Sequence, residues 1–303
     1  MFNTPILFII FNRPDVTARV FAEIRKAKPK QLFVVADGPR DSKIGEKDKC
    51  EVTRRIIEAV DWDCEVRKDF SDVNLGCKIR VSTGISWFFT QVESGIILED
   101  DCLPDQSFFY FCQNLLERYK NDERVMMISG DNFQFGQTYG AGSYYFSKFC
   151  HIWGWASWRR AWDKYDVAIK TFPEFKAQNK IKDLWSDEKI QEHWLNIFQK
   201  VYDNQIDTWD YQWTYSVWQQ NGLAIIPNVN LISNIGFGAE ATHTKREGLF
   251  SEMPSHSLND IIHPTEVKLN KAADDHYCRK YFRMGLLKRV TQFLWAKLRF
   301  IFK

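Results

Sequence analysis

Three acidic residues in a row, Glu99-Asp100-Asp101, follow the apolar run Gly95–Leu98 and precede Cys102-Leu103-Pro104-Asp105. In extended chain Glu99 and Asp101 point one way and Asp100 the other. Adjacent like charges at a strand end repel unless a cation or a set of hydroxyl donors offsets them. Hard carboxylate oxygens suit Mn²⁺ or Mg²⁺, with water and phosphate oxygens completing the shell. The alternative is helix capping, because Asp101 and Asp105 both lie near a helix start. Four other positions carry usable chemistry. Asp37, before Gly38-Pro39, can accept from a nucleobase N–H or cap its own turn. Arg13 can pair with a phosphate or lie on the surface beside Asp15. Asn74-Leu75-Gly76-Cys77-Lys78-Ile79-Arg80 leads into a helix, where backbone N–H groups with Lys78 or Arg80 can hold an anion, or simply form a capped loop. Asp210, within Trp209-Asp210-Tyr211-Gln212-Trp213, is a carboxylate among bulky aromatics. Desolvation there raises a carboxyl pKa and suits a general base, with helix capping the other reading and Asp207 the rival carboxylate.

These residues need a frame. Pro5–Phe11 and Leu32–Ala36 are continuous apolar runs, as expected of strands covered on both faces. Cys64 and Val66 mark a third strand, Gly95–Leu98 a fourth and Val125–Ser129 another. Between them, helical stripes run through Val16, Val20 and Ile24, through Val52, Ile56 and Val60, and through Ile79, Ile85 and Phe88. A further helix opens at Pro104-Asp105 and carries Phe108, Cys112, Leu115 and Tyr119. This alternation predicts an α/β fold with a mainly parallel, Rossmann-like sheet flanked by helices. Ligands of such sheets bind at the carboxyl ends of the strands, so Asn12-Arg13, Asp37, Glu99-Asp100-Asp101 and Asp131-Asn132 are expected on one rim. Beyond about Ser143 Trp and Tyr crowd the chain, and helices are predicted near 183–202 and 209–221. Gly236–Pro264 is polar and aperiodic, a lid or a disordered stretch; Thr242-His243-Thr244-Lys245-Arg246 within it can close over a diphosphate or be an exposed basic loop.

Ile97-Leu98-Glu99-Asp100-Asp101-Cys102-Leu103, with Phe108-Phe109 following, resembles the metal motif of the N-acetylglucosaminyltransferase I family, a variant of the DXD signature of GT-A glycosyltransferases. Other segments agree in order over roughly residues 3–245. Ile9–Arg13 resembles the first strand with its Asn-Arg end, and Val34–Gly38 the second, whose Asp reads uracil. Ile128–Asn132 and Gly154-Trp155 resemble the acceptor side, placing Asp131, Asn132 and Trp155 there. Ser233–His243 resembles the closing loop of bacterial relatives. The resemblance implies a single GT-A catalytic domain over 1–245, with 1–132 as the nucleotide-sugar half and 133–245 as the acceptor half. It implies Asp101 as the metal ligand, Glu99 and Asp100 on ribose and sugar, and Asp210 as the base of an inverting transfer from a UDP-linked donor. Asn12, Arg13, Asp37, Lys78, Arg80 and His243 complete the expected donor site. The family segment carries paired acids where Tyr211 follows Asp210 here, which keeps Asp207 as the alternative base.

Composition narrows the field. Twelve Trp and twenty-four Phe in 303 residues imply a bulky core or sugar-stacking walls. A formal net charge of +2 gives no reason to expect a nucleic-acid partner. Seven scattered cysteines without CxxC spacing point to reduced thiols in the cytoplasm. No secretory leader and no membrane span are expected. Residues 246–280 are expected as lid or linker, and 281–303 as a basic amphipathic helix. In that helix Leu286, Leu287, Val290, Leu294, Leu298, Ile301 and Phe302 alternate with Lys and Arg. Such a helix can lie on a membrane surface, suiting a saccharide acceptor that is lipid-linked, or pack on protein. A sugar nucleotidyltransferase normally carries a Gly-rich basic loop after its first strand, where this chain reads Phe11-Asn12-Arg13-Pro14. A non-catalytic glycan-binding or scaffolding subunit is disfavoured by the intact carboxylates.

Overall fold

The computed structural model describes residues 2–237 and 253–280. The first half alternates as its hydrophobic pattern requires. Strand β1 (Ile6–Ile10) leads to α1 (Pro14–Ala27), β2 (Gln31–Ala36), α2 (Glu46–Arg55) with a 3-10 turn at Ile56–Ala59, and β3 (Glu65–Phe70). Then come α3 (Gly76–Gln91), β4 (Ser94–Glu99), β5 (Cys102–Pro104), α4 (Gln106–Arg118) and β6 (Val125–Ser129). The second half holds β7 (Tyr144–Ser147), β8 (Trp155–Trp158), the helices α5 (Arg159–Trp162), α6 (Phe172–Ala177), α7 (Ile181–Leu184), α8 (Glu188–Tyr202) and α9 (Asp210–Gln219), and the strands β9 (Leu223–Pro227) and β10 (Ile232–Asn234). Residues 271–280 are helical.

Among the described residues, eight strands form one sheet in the order β3-β2-β1-β4-β8-β6-β9-β7. β3, β2, β1 and β4 are mutually parallel. β8 is inserted antiparallel between β4 and β6, and β7 runs antiparallel to β9 at the far edge. The sheet is therefore mainly parallel and flanked by helices on both faces, the α/β architecture expected from the alternation. Every residue of β1 is buried, and its side chains divide by parity. Leu7 and Ile9 enter the core layer under α3 and the second-half helices. Ile6, Phe8 and Ile10 enter the layer under α1 and α4. A continuous apolar run thus serves two cores at once.

The Trp-rich stretch is core. Trp155, Trp158, Trp162, Trp185, Trp209, Trp213 and Trp218 are all buried, and Trp155 stacks on Trp209 at 5.7 Å between ring centroids. The stripe expected through Val52 and Ile56 is displaced. Val52 is exposed while Cys50, Thr53 and Ile57 face inward, so the buried stripe lies on the neighbouring face of the helix. Within the polar stretch after Gly236, residues 253–264 are fastened to the body. The His256 N–H donates to the Asn230 carbonyl at 2.7 Å, Ser257 Oγ to Asp105 Oδ2 at 2.8 Å, and the Ser143 N–H to the Ile262 carbonyl at 2.7 Å. The segment expected to close over a diphosphate, with His243, and the amphipathic helix of 281–303 lie outside the described residues. Among the described residues no helix is long and apolar enough to cross a membrane, and the seven cysteines are free.

Candidate functional site

β1 is flanked by β2 on one side and β4 on the other, so chain direction across the sheet reverses between β1 and β4. Loops leaving neighbouring parallel strands diverge at such a point and open a crevice at the carboxyl ends. A cleft of about 740 Å³ lies there. It gathers Arg13 after β1, Asp37 after β2, Arg80 of α3, Glu99-Asp100-Asp101 at the end of β4, and Asp207 and Asp210 at the start of α9. The first and second halves of the chain thus meet across one cavity.

The acidic tip is organised by Arg13. Its Nη2 donates to Asp100 Oδ1 and, at 2.9 Å, to Asp101 Oδ2, while the Phe11 N–H donates to Asp100 Oδ2 at 3.3 Å. Burial alone would depress the Arg13 guanidinium, but the two carboxylates outweigh it and hold it firmly charged. Burial pushes the Glu99 carboxyl up, and the neighbouring Asp101 and Asp100 add to the rise. Asp100 is raised by burial as well, with Arg13 pulling the other way. Gly236 closes the tip: a Cβ there would stand 2.0 Å from Asp101 Oδ2 and 2.7 Å from Arg13 Nη1. A side chain at 236 would have to move Asp101 or Arg13 for the chain leaving β10 to pass.

Asp37 adopts the turn-forming alternative. It accepts from the N–H groups of Gly38 and Leu75, each at 2.9 Å, from that of Gly76 at 3.0 Å, and from Asn74 Nδ2 at 3.1 Å. These bonds pin the loop into α3, where Gly76 takes the left-handed φ of 78° that favours glycine. The amides expected to cradle an anion are therefore used: those of Leu75 and Gly76 by Asp37, and that of Lys78 by Asp207 Oδ1 at 3.3 Å. Lys78 does not line the cleft; its Nζ donates to Asn204 at 2.9 Å. Arg80 does line it, anchored by Asp69. Asn12 turns away and donates to Glu46 at 2.9 Å.

The residues expected on the acceptor side stand behind the wall. Asp131 is 1% exposed and accepts the Trp153 N–H at 2.9 Å, while its Oδ1 has no partner among the described residues. Burial drives this carboxyl well above the usual carboxylate range. It holds Trp153, which does line the cleft. Asn132 is consumed by Asn230, Pro227 and Gln134. Trp155 is wholly buried in β8. The rim expected to include Asp131 and Asn132 stops short of them, because β8 is inserted between β4 and β6 and the loop preceding β8 covers that strand end.

Asp207 and Asp210 reach the cleft from one turn. Thr208 Oγ1 donates to Asp210 Oδ1, and Asp207 caps the first turn of α3 through Lys78. Arg40 was missing from the sequence expectations. It lines the cleft, packs over the Phe11 ring at 5.4 Å, and is held by Glu46 with Nε–Oε2 at 2.9 Å. Its position just past Asp37-Gly38-Pro39, at the end of a parallel strand, is the signal that could have found it. The lining then carries six carboxyl groups (Asp37, Glu99, Asp100, Asp101, Asp207 and Asp210) against three guanidinium groups, those of Arg13, Arg40 and Arg80. Among the described residues no cluster of three or more side chains is arranged to hold a metal ion alone. One or two carboxylates can still bind a hard cation when phosphate oxygens complete its shell, and the acidic surplus suits such a cation.

The sequence matches no protein-family model and no curated protein. Among solved structures it is similar to HddC from Yersinia pseudotuberculosis, at 7% identity and a TM-score of 0.32, covering 52% of this chain and 77% of that one. It is similar to 4-diphosphocytidyl-2C-methyl-D-erythritol synthase from Anaerococcus prevotii, at 11% identity and a TM-score of 0.32, covering 54% and 76%. An apo UDP-glucose pyrophosphorylase is similar at 8% identity and a TM-score of 0.35, covering 76% and 93%.

Proposed function

We propose that the cleft transfers a glycosyl group, with inversion, from a nucleotide-sugar donor to a saccharide or lipid-linked saccharide acceptor. The observation that carries this reading is the acidic tip of β4 sharing one cavity with Asp210, a carboxylate from a separate part of the fold. Donor activation and acceptor deprotonation need groups on opposite sides of the reacting carbon. The resemblance of the tip segment favours a UDP-linked donor. A divalent cation, Mn²⁺ or Mg²⁺, would be held by Asp101 and would supply positive charge opposite the departing diphosphate.

Asp210 takes the proton of the acceptor hydroxyl as its oxygen bonds to the anomeric carbon. The bond from that carbon to the diphosphate breaks, and its electron pair leaves with the nucleoside diphosphate. Thr208 fixes Asp210 for this task. Asp207 accepts the Lys78 amide at the first turn of α3 and shares the cavity as the alternative base. Arg13 balances Asp100 and part of Asp101, so the tip is not left as three bare charges. Trp153 and Tyr211 give the cleft aromatic surface on which a sugar ring can stack. Nucleotidyl transfer lacks an anchor: the chain passes from β1 into α1 with Pro14 at the first helical position and no Gly-rich loop between them.

The test is a nucleotide-sugar panel scored for Mn²⁺-dependent thermal stabilisation, followed by nucleoside diphosphate release. Asp210→Asn is expected to bind donor and to lose about 10²–10⁴-fold in turnover. Asp101→Asn is expected to lose cation-dependent donor binding. Wild-type turnover in both variants would refute the proposal.

A further inference from the structure

We propose that Arg13 holds the place of the divalent cation at the β4 tip, so that Asp101 takes a cation only in exchange for a diphosphate that receives the guanidinium; the inference rests on the nucleotide-sugar reading above. The resemblance counts Arg13 among the donor residues. Its pairing in the structure gives it a different task. One nitrogen, Nη2, donates both to Asp100 Oδ1 and, at 2.9 Å, to Asp101 Oδ2. The positive charge between these two carboxylates is therefore supplied by the chain itself.

This tie differs from a surface ion pair. Asp100 and Asp101 are poorly exposed, and Nη1 of the same guanidinium donates to the Gly236 carbonyl at 3.4 Å. The backbone from which Arg13 reaches is fixed as well. Pro14 opens α1 directly after it, and its carbonyl accepts the Thr17 N–H at 3.0 Å and Thr17 Oγ1 at 2.7 Å. Asp101 Oδ1 is turned to the buried Cys102 thiol at 3.5 Å, which leaves Oδ2 as the oxygen offered to a cation. That is the oxygen Arg13 takes. A hard cation bonds a carboxylate oxygen at about 2.1 Å, so cation and guanidinium charge would crowd the same few ångströms. Like charges at that separation repel, and one must leave.

A cation alone gives Arg13 no acceptor in return for Asp101. A diphosphate does, because its oxygens match the guanidinium fork and also complete the shell of the cation. Arg13 can keep Asp100, the more deeply buried of its two partners, while it exchanges Asp101 for phosphate. Cation binding thereby becomes conditional on the diphosphate. If the arrangement with Asp101 released makes up no more than about one molecule in ten, cation affinity falls at least about tenfold below that of a freed tip.

The experiment is Mn²⁺ titration of the full chain followed by EPR, first with Mn²⁺ alone and then with UDP, CDP, GDP or ADP, each corrected by a protein-free blank. Arg13→Met is expected to bind Mn²⁺ alone at least about tenfold more tightly than the wild type. The gain should vanish in Arg13→Met/Asp101→Asn. Because unpaired acids can unfold the single variant, a second comparison sets Asp100→Asn against Arg13→Met/Asp100→Asn. Their acids are identical, and only the second leaves Asp101 without Arg13. The same difference of about tenfold is expected between them, with melting curves reporting the fold. Mn²⁺ alone binding the wild type as tightly as the Arg13 variants overturns the proposal, and so does a gain that survives Asp101→Asn. Under either result the nucleotide-sugar reading stands when a nucleoside diphosphate promotes Mn²⁺ uptake by the wild type. If none does so in any of these proteins, that reading falls and this inference with it.

Discussion

Replacing Arg13 by Met isolates the charge balance of the acidic tip. The guanidinium bridges Asp100 and Asp101, with side-chain exposures of 17% for Arg13, 5% for Asp100 and 17% for Asp101. Met keeps most of the side-chain volume and removes every donor. Two poorly solvated carboxylates are then left beside Glu99 without a counter-charge. Breaking a buried pair from one side costs about 3–5 kcal/mol, much of it from the uncompensated charge that remains. In a chain of this size that corresponds to a fall in Tm of roughly 5–8 °C. The pH dependence has a definite sign. Burial already raises Asp100 above its unfolded value even with Arg13 present. Without Arg13 its folded value rises further. The deficit of the variant is therefore largest at high pH and fades as pH falls and the carboxyl protonates. A double-mutant cycle sharpens the test. Asp100→Asn in the Arg13→Met background should recover about 1–3 kcal/mol relative to additivity. The assay is urea unfolding of the four proteins at two pH values. An Arg13→Met variant as stable as wild type, or a cycle that closes additively, would refute the bridge.

Two further outcomes test neighbouring parts of the argument. Gly236→Ala is expected to push Asp101 aside, because its Cβ would stand 2.0 Å from Asp101 Oδ2; displacement on that scale predicts a loss of roughly 10²-fold in kcat/KM, and an unchanged value would show that the tip is not where drawn. His151, packed against Phe133 at 4.6 Å and Tyr277 at 5.1 Å, has its pKa pushed down to about 3 by burial. The unfolded chain takes up a proton below about pH 6.5 that the folded chain refuses, so stability is lost as pH falls from there toward 3, at up to about 1.4 kcal/mol per pH unit. His151→Gln should flatten that part of the urea-midpoint profile, and a slope equal to wild type would contradict it.

Most of the first half of the fold was legible because β1, β2, β4 and β6 are buried on both faces, whereas the edge strand β3 is not. Runs such as Ile6–Ile10 and Leu32–Ala36 need no partner information to be recognised. The second half was not. β7 and β8 span only four residues each and β10 three, and the Trp and Tyr content of β7 and β8 also fits helices. What makes Trp155–Trp158 a strand is pairing with β4 and β6, contacts remote in sequence. Its antiparallel insertion also decides the fate of Asp131 and Asn132. Period and propensity place them at a strand end, but topology alone places the β8 approach in front of them.

Within the site, residue type was legible and partnership was not. Asp37, Arg80 and Asp210 were all marked by spacing, yet the sequence does not say which acids are already spent on backbone amides. Asp37 is spent, and Asp207 partly so, whereas Arg80 keeps an unpartnered Nε. Charge makes the same point for the cavity as a whole. Arg40 and Arg80 are each paired with an acid of their own, Glu46 and Asp69, and Arg13 is shared between two. None of the three guanidinium groups is a spare cation for an incoming diphosphate. An anion entering a cavity with twice as many carboxyl as guanidinium groups must bring positive charge with it or take up protons there. The acids of the β4 tip are placed to receive that charge, so the proposed transfer calls for a divalent ion that arrives with the diphosphate.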